Sequence, residues 1–402
     1  MMTGKQEGNP FVIIFSLWLL VFAASSQIMI ISPILPRISE QLQTSESLLG
    51  ILVTAYAAMV GIFAIISGPF SDRIGRRKIL LFGTFGMALA LLLHYFVFNF
   101  TSFLIVRALA GIAGGILSGS SVSYVGDYFP YERRGWANGW IMSGIAMGQI
   151  LGIPLGTVIA DMMGFRAPFV LFGFVMVAAF FMIFFGVPQP KITLDEHKVT
   201  LKGSLLKYKI LLSRSDIRAT SFCYALMFMS LSVYIVFLPT WLETEFRVTG
   251  KEIALLFFFG GVANVIASPQ AGRISDRIGR KSMIIISCIG LSLVMVLTTY
   301  VIIQFWISYV LFFLTMILVA MRISPFQALS SELVPAANRG TLMSLLIAIG
   351  QIGYGIGGGI SGIFYVDYGY VSNTLIGAVT ILIMAFIVWK YIPEPELKTQ
   401  TI

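Results

Sequence analysis

The sequence predicts an all-α polytopic membrane protein, with twelve transmembrane helices in two pseudo-symmetric bundles of six. Three observations carry the prediction: a composition too apolar for a water-soluble core, uncharged runs of spanning length, and an internal repeat at nearly constant offset. Of 402 residues, 57% are hydrophobic and only 11% charged, and mean hydropathy is +0.91. A soluble chain of this size has no interior able to hold so much apolar surface, so lipid must cover the remainder.

A helix needs ~20 apolar residues to cross the ~30 Å hydrocarbon layer. Such runs lie near 11–35, 47–70, 79–97, 101–125, 136–160, 167–187, 219–241, 253–271, 283–303, 305–328, 341–363 and 370–390. They lack the alternation of barrel strands, and helices are then the structure that satisfies the backbone in lipid. The first run, Phe11 to Pro36, is too long for a signal-peptide core and lacks a basic flank followed by a small-residue cleavage site, so it reads as a retained helix. The second and third flank a charged turn, Gly68 to Leu80. The fourth carries Arg107, the fifth has glycines at every fourth position, and the sixth ends before Pro188 and Pro190. From Gln189 to Asp216 both signs of charge appear without a spanning run, which reads as a cytoplasmic linker with a short interfacial helix around Leu205 to Leu212. Six further runs complete the chain. The expected division is 1–187 for the first bundle, 188–216 for the linker and 217–402 for the second bundle.

Lys and Arg set the orientation. Placing both termini in the cytoplasm puts 21 of the 27 basic residues on the inner side and four, Arg37, Arg166, Arg247 and Lys251, on the outer, as the positive-inside rule requires. The net charge of +9 is thus mostly topology. Its expected partners are membrane lipids rather than nucleic acid. The two cysteines, Cys223 and Cys288, both fall inside apolar runs and suit neither a disulfide framework nor a metal site. No cofactor is expected.

The halves repeat one another. Asp72-Arg-Ile-Gly-Arg recurs at Asp276, and Asp127-Tyr-Phe-Pro followed by Arg134-Gly135 recurs as Glu332-Leu-Val-Pro followed by Arg339-Gly340, offsets of 204 and 205. Gly148-Gln149 recurs as Gly350-Gln351 at an offset of 202. Three matches near one spacing indicate internal duplication. Parallel six-helix repeats place a substrate site at their interface near the midplane, exposed alternately to each side by rocking of the halves.

With these residues in view, the chain resembles the major facilitator superfamily over essentially its whole length, and within it the twelve-helix branch of drug, sugar and nucleoside:proton antiporters. The resemblance rests on Gly68-Pro-Phe-Ser-Asp72-Arg73-Ile-Gly75-Arg76-Arg77-Lys78, Arg107-Ala-Leu-Ala-Gly111, Pro33-Ile-Leu-Pro36, and Gly144, Gly148, Gly152, Pro154 and Gly156 in the fifth run. It implies a major facilitator fold and a monomeric, proton-coupled efflux transporter in the cell membrane. It also implies that Asp72 faces the start of the eleventh helix and that Arg76 pairs with Asp127, a latch that Arg73, Gly75, Arg77 and their repeats Asp276 and Arg280 complete. Independently of resemblance, Gly75 and Gly279 supply the positive φ that a tight turn needs. The glycines of the fifth helix permit close helix packing; the resemblance adds a second reading, in which their face seals the two halves.

Arg107 and Arg322 belong to neither surface. Charge at membrane depth costs at least ~2.5–3.5 kcal/mol, which marks both as functional candidates. The resemblance gives Arg107 a part in proton handling or in ordering the first helix; for Arg322, contact with an anion or substrate and purely structural bonding stand as equal readings. All eighteen carboxylates fall at the surfaces, and where many relatives carry an acid before the Pro-x-x-Pro of the first helix this chain has Ser25, Ser26 and Gln27. Gln27 does not titrate. Asp127 and His94 are the groups left for proton coupling, although each has a plainer reading, as a latch partner and as a surface histidine at the outer end. With arginines and no acid, the cavity favours a neutral or anionic small molecule. Its expected lining is Gln27, Arg107, Tyr224, Phe228, Tyr234, Arg322 and Phe326, aromatics mixed with a few polar groups.

The first functional reading is therefore alternating-access efflux of small amphipathic molecules, coupled to protons. A second is a lipid or lysolipid translocator, or an organic-anion permease without proton coupling. An enzyme would need a catalytic array, and the sequence shows neither a Ser/His/Asp set nor a phosphate loop.

Overall fold

The computed structural model describes residues 8–190 and 201–393. Among these residues, twelve helical spans are long and apolar enough to cross a membrane: Pro10–Met29, Glu46–Ser67, Arg76–Phe96, Phe100–Tyr128, Arg133–Met163, Arg166–Gly186, Ser215–Phe246, Gly250–Ile278, Arg280–Val301, Phe305–Glu332, Asn338–Tyr368 and Tyr370–Tyr391. They are numbered one to twelve below.

Several spans are interrupted, each for a local reason. Span four breaks at Ser118 and restarts after Gly119, whose φ is +72°. Span five carries a π-turn over Gly148–Gly152. Pro154 has no N–H, and its ring collides with the carbonyl four residues back in a regular helix. Widening the turn, so that Ile153 N donates to Gly148 O, relieves that collision. Span seven bends at Phe237, just ahead of Pro239. The turns between spans two and three and between spans eight and nine hinge on Gly75 at φ +99° and Gly279 at φ +94°, the conformation their repeat led one to expect. Of the linker, residues 191–200 lie outside the described residues. Its helix spans Leu201–Ser213, with Tyr208 and Leu211 buried and Leu206 and Ile210 exposed.

Span one packs on spans five and six, and span seven packs in the same way on eleven and twelve. The first and last six spans meet along two lines, span two against eleven and span five against eight. Large exposed side chains lie on most of the spans, among them Phe82 and Phe85 on three, Trp140 on five, Phe181 and Phe185 on six, Ile266 on eight, Ile286 and Leu293 on nine, and Phe386 and Trp389 on twelve. In water such faces would drive association; hydrocarbon is their natural solvent.

Candidate functional site

At the end bearing the termini, the repeated turns form matching ion pairs. Arg76 Nε lies 2.5 Å from Asp127 Oδ2, and Arg280 Nη1 lies 2.5 Å from Glu332 Oε1, with Asp276 Oδ1 3.3 Å from its Nη2. Glu332 is the member that sequence reasoning did not single out as a partner, although its offset of 205 from Asp127 was the signal for it. Arg77 is tied instead to the end of span six: its backbone N donates to Gln189 Oε1 at 3.1 Å and its Nη2 to Phe184 O at 2.5 Å. The side chains of Asp72 and Arg73 lie outside the described residues. Partly exposed pairs of this kind contribute about 0–1 kcal/mol each, which suits contacts that form and break in a cycle.

The glycine face of span five turns towards span one. A Cβ at Gly144 would lie 2.9 Å from Trp18 O, at Gly152 2.1 Å from Ser26 Oγ, and at Gly156 2.6 Å from Ile30 Cγ2. Close helix packing, the first reading of these glycines, is what this face does, since it seats one helix on another within the first six; the second reading, that it seals the two halves, is corrected. The face that does cross the seam carries Gln149 and Ile150, packed on Gly261 of span eight. Span eleven uses its glycines both ways. Gly350, Gly353 and Gly357 receive span seven, while Gly355 and Gly358 receive span two, so closely that a Cβ at Gly50 would lie 1.9 Å from Gly358 O. Thr54 Oγ1 donates across this line to Gly355 O at 2.6 Å. Gly152→Val is expected to cost about 1–3 kcal/mol by overpacking, read as a lower Tm in detergent. Adding Ser26→Gly should restore much of the loss; a wild-type Tm for Gly152→Val alone would refute the close approach.

At membrane depth, spans one, two and four build a polar cluster. Arg107 Nη1 donates to Gln27 Oε1 at 2.9 Å, and Gln27 Nε2 donates to the Tyr56 hydroxyl at 3.1 Å and to Ala24 O at 3.2 Å. The Arg107 guanidinium lies 4.5 Å from the Tyr56 ring centroid and 5.9 Å from that of Phe169. Tyr354 of span eleven is within its electrostatic reach, so the cluster borders the seam. Gln27 and Arg107 are both buried, and Arg107 forms no salt bridge to a carboxylate among the described residues. A desolvated cation over aromatic faces gains about 2 kcal/mol, which offsets part of the burial. Sequence reasoning found Gln27 and Arg107 by their polarity; Tyr56, Phe169 and Tyr354 gave no signal among 33 Phe and 15 Tyr.

The remaining expected residues separate. Tyr224 stacks on Phe326 at 5.0 Å and meets Phe228 at 6.3 Å, joining spans seven and ten. Tyr234 is corrected: its hydroxyl is 3.0 Å from Thr298 Oγ1 and its carbonyl accepts from Tyr370, so it packs among spans nine and twelve. Arg322 is fully buried, its three nitrogens meet no hydrogen-bonding oxygen among the described residues, and its interacting neighbour is the Cys288 thiol of span nine. His94 is corrected too. It is buried, stacked 4.0 Å on Phe169, with Nδ1 2.9 Å from Ala90 O. Phe169 thus lies against both His94 and Arg107. The sequence placed His94 correctly near a span end, but not on the inner face of its helix.

At the end opposite the termini, the halves are tied together. Arg37 Nε donates to Asp161 Oδ1 at 2.6 Å, within the first six spans, and its Nη1 donates to both carboxylate oxygens of Glu243 on span seven. Ser32 Oγ donates to Ile235 O at 2.7 Å and Val236 O at 2.8 Å. The other oxygen of Asp161 lies over Gly250, where a Cβ would come within 2.1 Å of Oδ2. Gly250 opens the 29-residue helix of span eight, and a helix N-terminus favours a carboxylate.

The Major Facilitator Superfamily profile matches residues 17–218 and 220–402. The multidrug resistance protein MdtG of Proteus mirabilis (strain HI4320) is 26% identical over 398 residues, 96% of this chain and 97% of its own. The uncharacterized MFS-type transporter YwfA of Bacillus subtilis (strain 168) is 25% identical, over 95% of this chain and 92% of its own. In fold, the chain is similar to a D-xylose–proton symporter, with a TM-score of 0.80, 18% identity, and 97% and 99% of the two chains covered. It is similar also to the human organic anion transporter MFSD10, with a TM-score of 0.72, 16% identity, and 95% and 100% covered.

Proposed function

Because this chain belongs to the major facilitator superfamily and is a multi-pass cell-membrane transporter of small molecules, we propose that it exports small amphipathic organic compounds by alternating access. The two six-helix sets, 1–187 and 217–402, rock about the lines where span two meets eleven and span five meets eight, with both termini in the cytoplasm. Efflux is the reading that fits relatives named for multidrug resistance. One observation carries the substrate preference: the buried cluster of Gln27, Tyr56 and Arg107 holds a cation and no acid. A cationic drug would meet an unpaired like charge in low dielectric; a neutral or anionic molecule would not. The buried Arg322 guanidinium, which among the described residues meets no carboxylate and only the Cys288 thiol, favours a second reading, an organic-anion permease without proton coupling.

Antiport with protons is part of the first reading, and the same assay separates the two. Purified protein in proteoliposomes with an imposed pH gradient is expected to move neutral and anionic amphipathic compounds, with flux driven by the gradient. Transport restricted to cations would refute the substrate assignment, and flux indifferent to pH would select the permease.

A further inference from the structure

At the end carrying Arg37, a cavity of about 570 Å³ opens between the start of span two and spans seven, nine, eleven and twelve. Two carboxylates line it: Glu46, the first residue of span two, and Glu245, on the final turn of span seven. Three aromatic rings, Trp241, Tyr365 and Tyr370, and the Thr299 hydroxyl line it as well. Among the described residues no basic side chain lines this cavity. Among the described residues neither carboxylate is in an ion pair, whereas the neighbouring Asp161 and Glu243 are both engaged by Arg37. The rings are fixed from behind. Trp241 stacks on Tyr370 at 4.8 Å, the Tyr370 hydroxyl donates to Tyr234 O at 2.6 Å, and Tyr365 stacks on Phe237 at 5.0 Å. Thr299 Oγ1 is buried and has no hydrogen-bond partner among the described residues.

Carboxylates beside rigid aromatic rings select an organic ammonium over an inorganic cation. An alkylammonium group gains from ring faces and from the two negative charges together, while a hard inorganic cation wants several oxygen ligands and gains little from rings. We propose that this cavity is a binding site for an organic ammonium group, held between Glu46 and Glu245 against Trp241 and Tyr365. It is distinct from the Arg107 cluster and opposite to it in charge. Glu46 belongs to the first six spans and the other lining residues to the last six, so a bound ammonium bridges the halves and reinforces closure of this end. The site stands whatever the protein carries.

The ammonium can come from a free solute or from a phosphatidylethanolamine headgroup. Calorimetric titration of the purified full chain with tetraethylammonium chloride, against sodium chloride as control, is expected to show saturable binding, weakened at least about tenfold in Glu46→Gln/Glu245→Gln. Glu245 is exposed and Glu46 partly so, and Gln keeps the size of both side chains, so the double variant should stay folded with a Tm close to wild type, lowered only by the loss of the Glu46 charge at the start of its helix. Repeating the titration in nanodiscs distinguishes the source: phosphatidylethanolamine competes and phosphatidylglycerol does not if the headgroup is the ligand, and the two lipids give equal affinity if it is a solute. Heat no greater than that of sodium chloride, or binding unchanged in the double variant, would overturn the proposal. Because the readout is binding without flux, failure here leaves the export reading untouched, and failure of the flux assay leaves this site untouched.

Discussion

Arg107→Met is expected to abolish transport while leaving the protein folded and close to wild type in Tm. The two outcomes separate because the energetics of the site oppose one another. Removing the guanidinium leaves Gln27 Oε1 without its 2.9 Å donor, a loss of about 1–3 kcal/mol for a buried acceptor. The same change removes a fully buried charge that has no carboxylate partner, and replacing such a charge with an apolar side chain of similar volume is often neutral or stabilising. Gln27 keeps its bonds to Tyr56 and Ala24, so the cluster does not collapse. What disappears is the positive charge bordering the seam. If that charge attracts substrate or gates the proton, initial flux in proteoliposomes should fall more than about tenfold, the equivalent of one 1.4 kcal/mol interaction. Arg107→Lys should be intermediate, since a point charge lacks the planar fork that meets Gln27 and stacks on Tyr56. A variant whose Tm and flux fall in parallel would show Arg107 to be only structural.

What sequence could and could not foresee follows a single physical distinction. Hydropathy and charge report depth along a helix, and they do so well: the twelve spans and the turns at Gly75 and Gly279 depend on position along the chain, while the pairing of Arg76 with Asp127 was expected from the resemblance alone. They say little about rotation around the helix axis. His94 lies near the end of span three as expected, yet its ring turns inward onto Phe169. The glycine ladder of span five was seen as a ladder, but whether it faced span one or span eight depended on a rotation that a four-residue period leaves open. Tyr234 shows the same failure. Long-range pairings between unlike segments were equally hidden. Arg37 counted only as one outer basic residue, and nothing in its neighbours pointed to Asp161, 124 positions away, or to Glu243, 206 away. The internal repeat marked equivalent positions in the two halves and no contact across the seam; the one contact expected across it, Asp72 with the start of span eleven, came from the resemblance, and the Asp72 side chain lies outside the described residues.

Breaking the Arg37 cluster is expected to open the end it closes. Glu243→Gln keeps the size of the side chain and removes the charge that spans the two halves, while Arg37→Gln removes the bonds to both Asp161 and Glu243. The three side chains are 14–22% exposed, between the surface case of about 0–1 kcal/mol and the buried case of about 3–5 kcal/mol when one partner is removed. A loss of about 1.4–2.8 kcal/mol in the closed state moves the balance between states by roughly tenfold to a hundredfold. Spin labels placed at this end of spans one and seven, after replacement of the two buried cysteines Cys223 and Cys288, would register the change as a longer distance component. Arg37→Gln should shift further than Glu243→Gln, because it also frees the Asp161 carboxylate over the start of span eight. The Ser32 bonds to span seven remain in both variants, so the opening should be partial, and Ser32→Ala should add to it. Net transport should fall in either variant, since a transporter held open at one end completes fewer cycles. An unchanged distance distribution in Arg37→Gln would show that the glycine contacts of spans two and eleven close this end without help from charge.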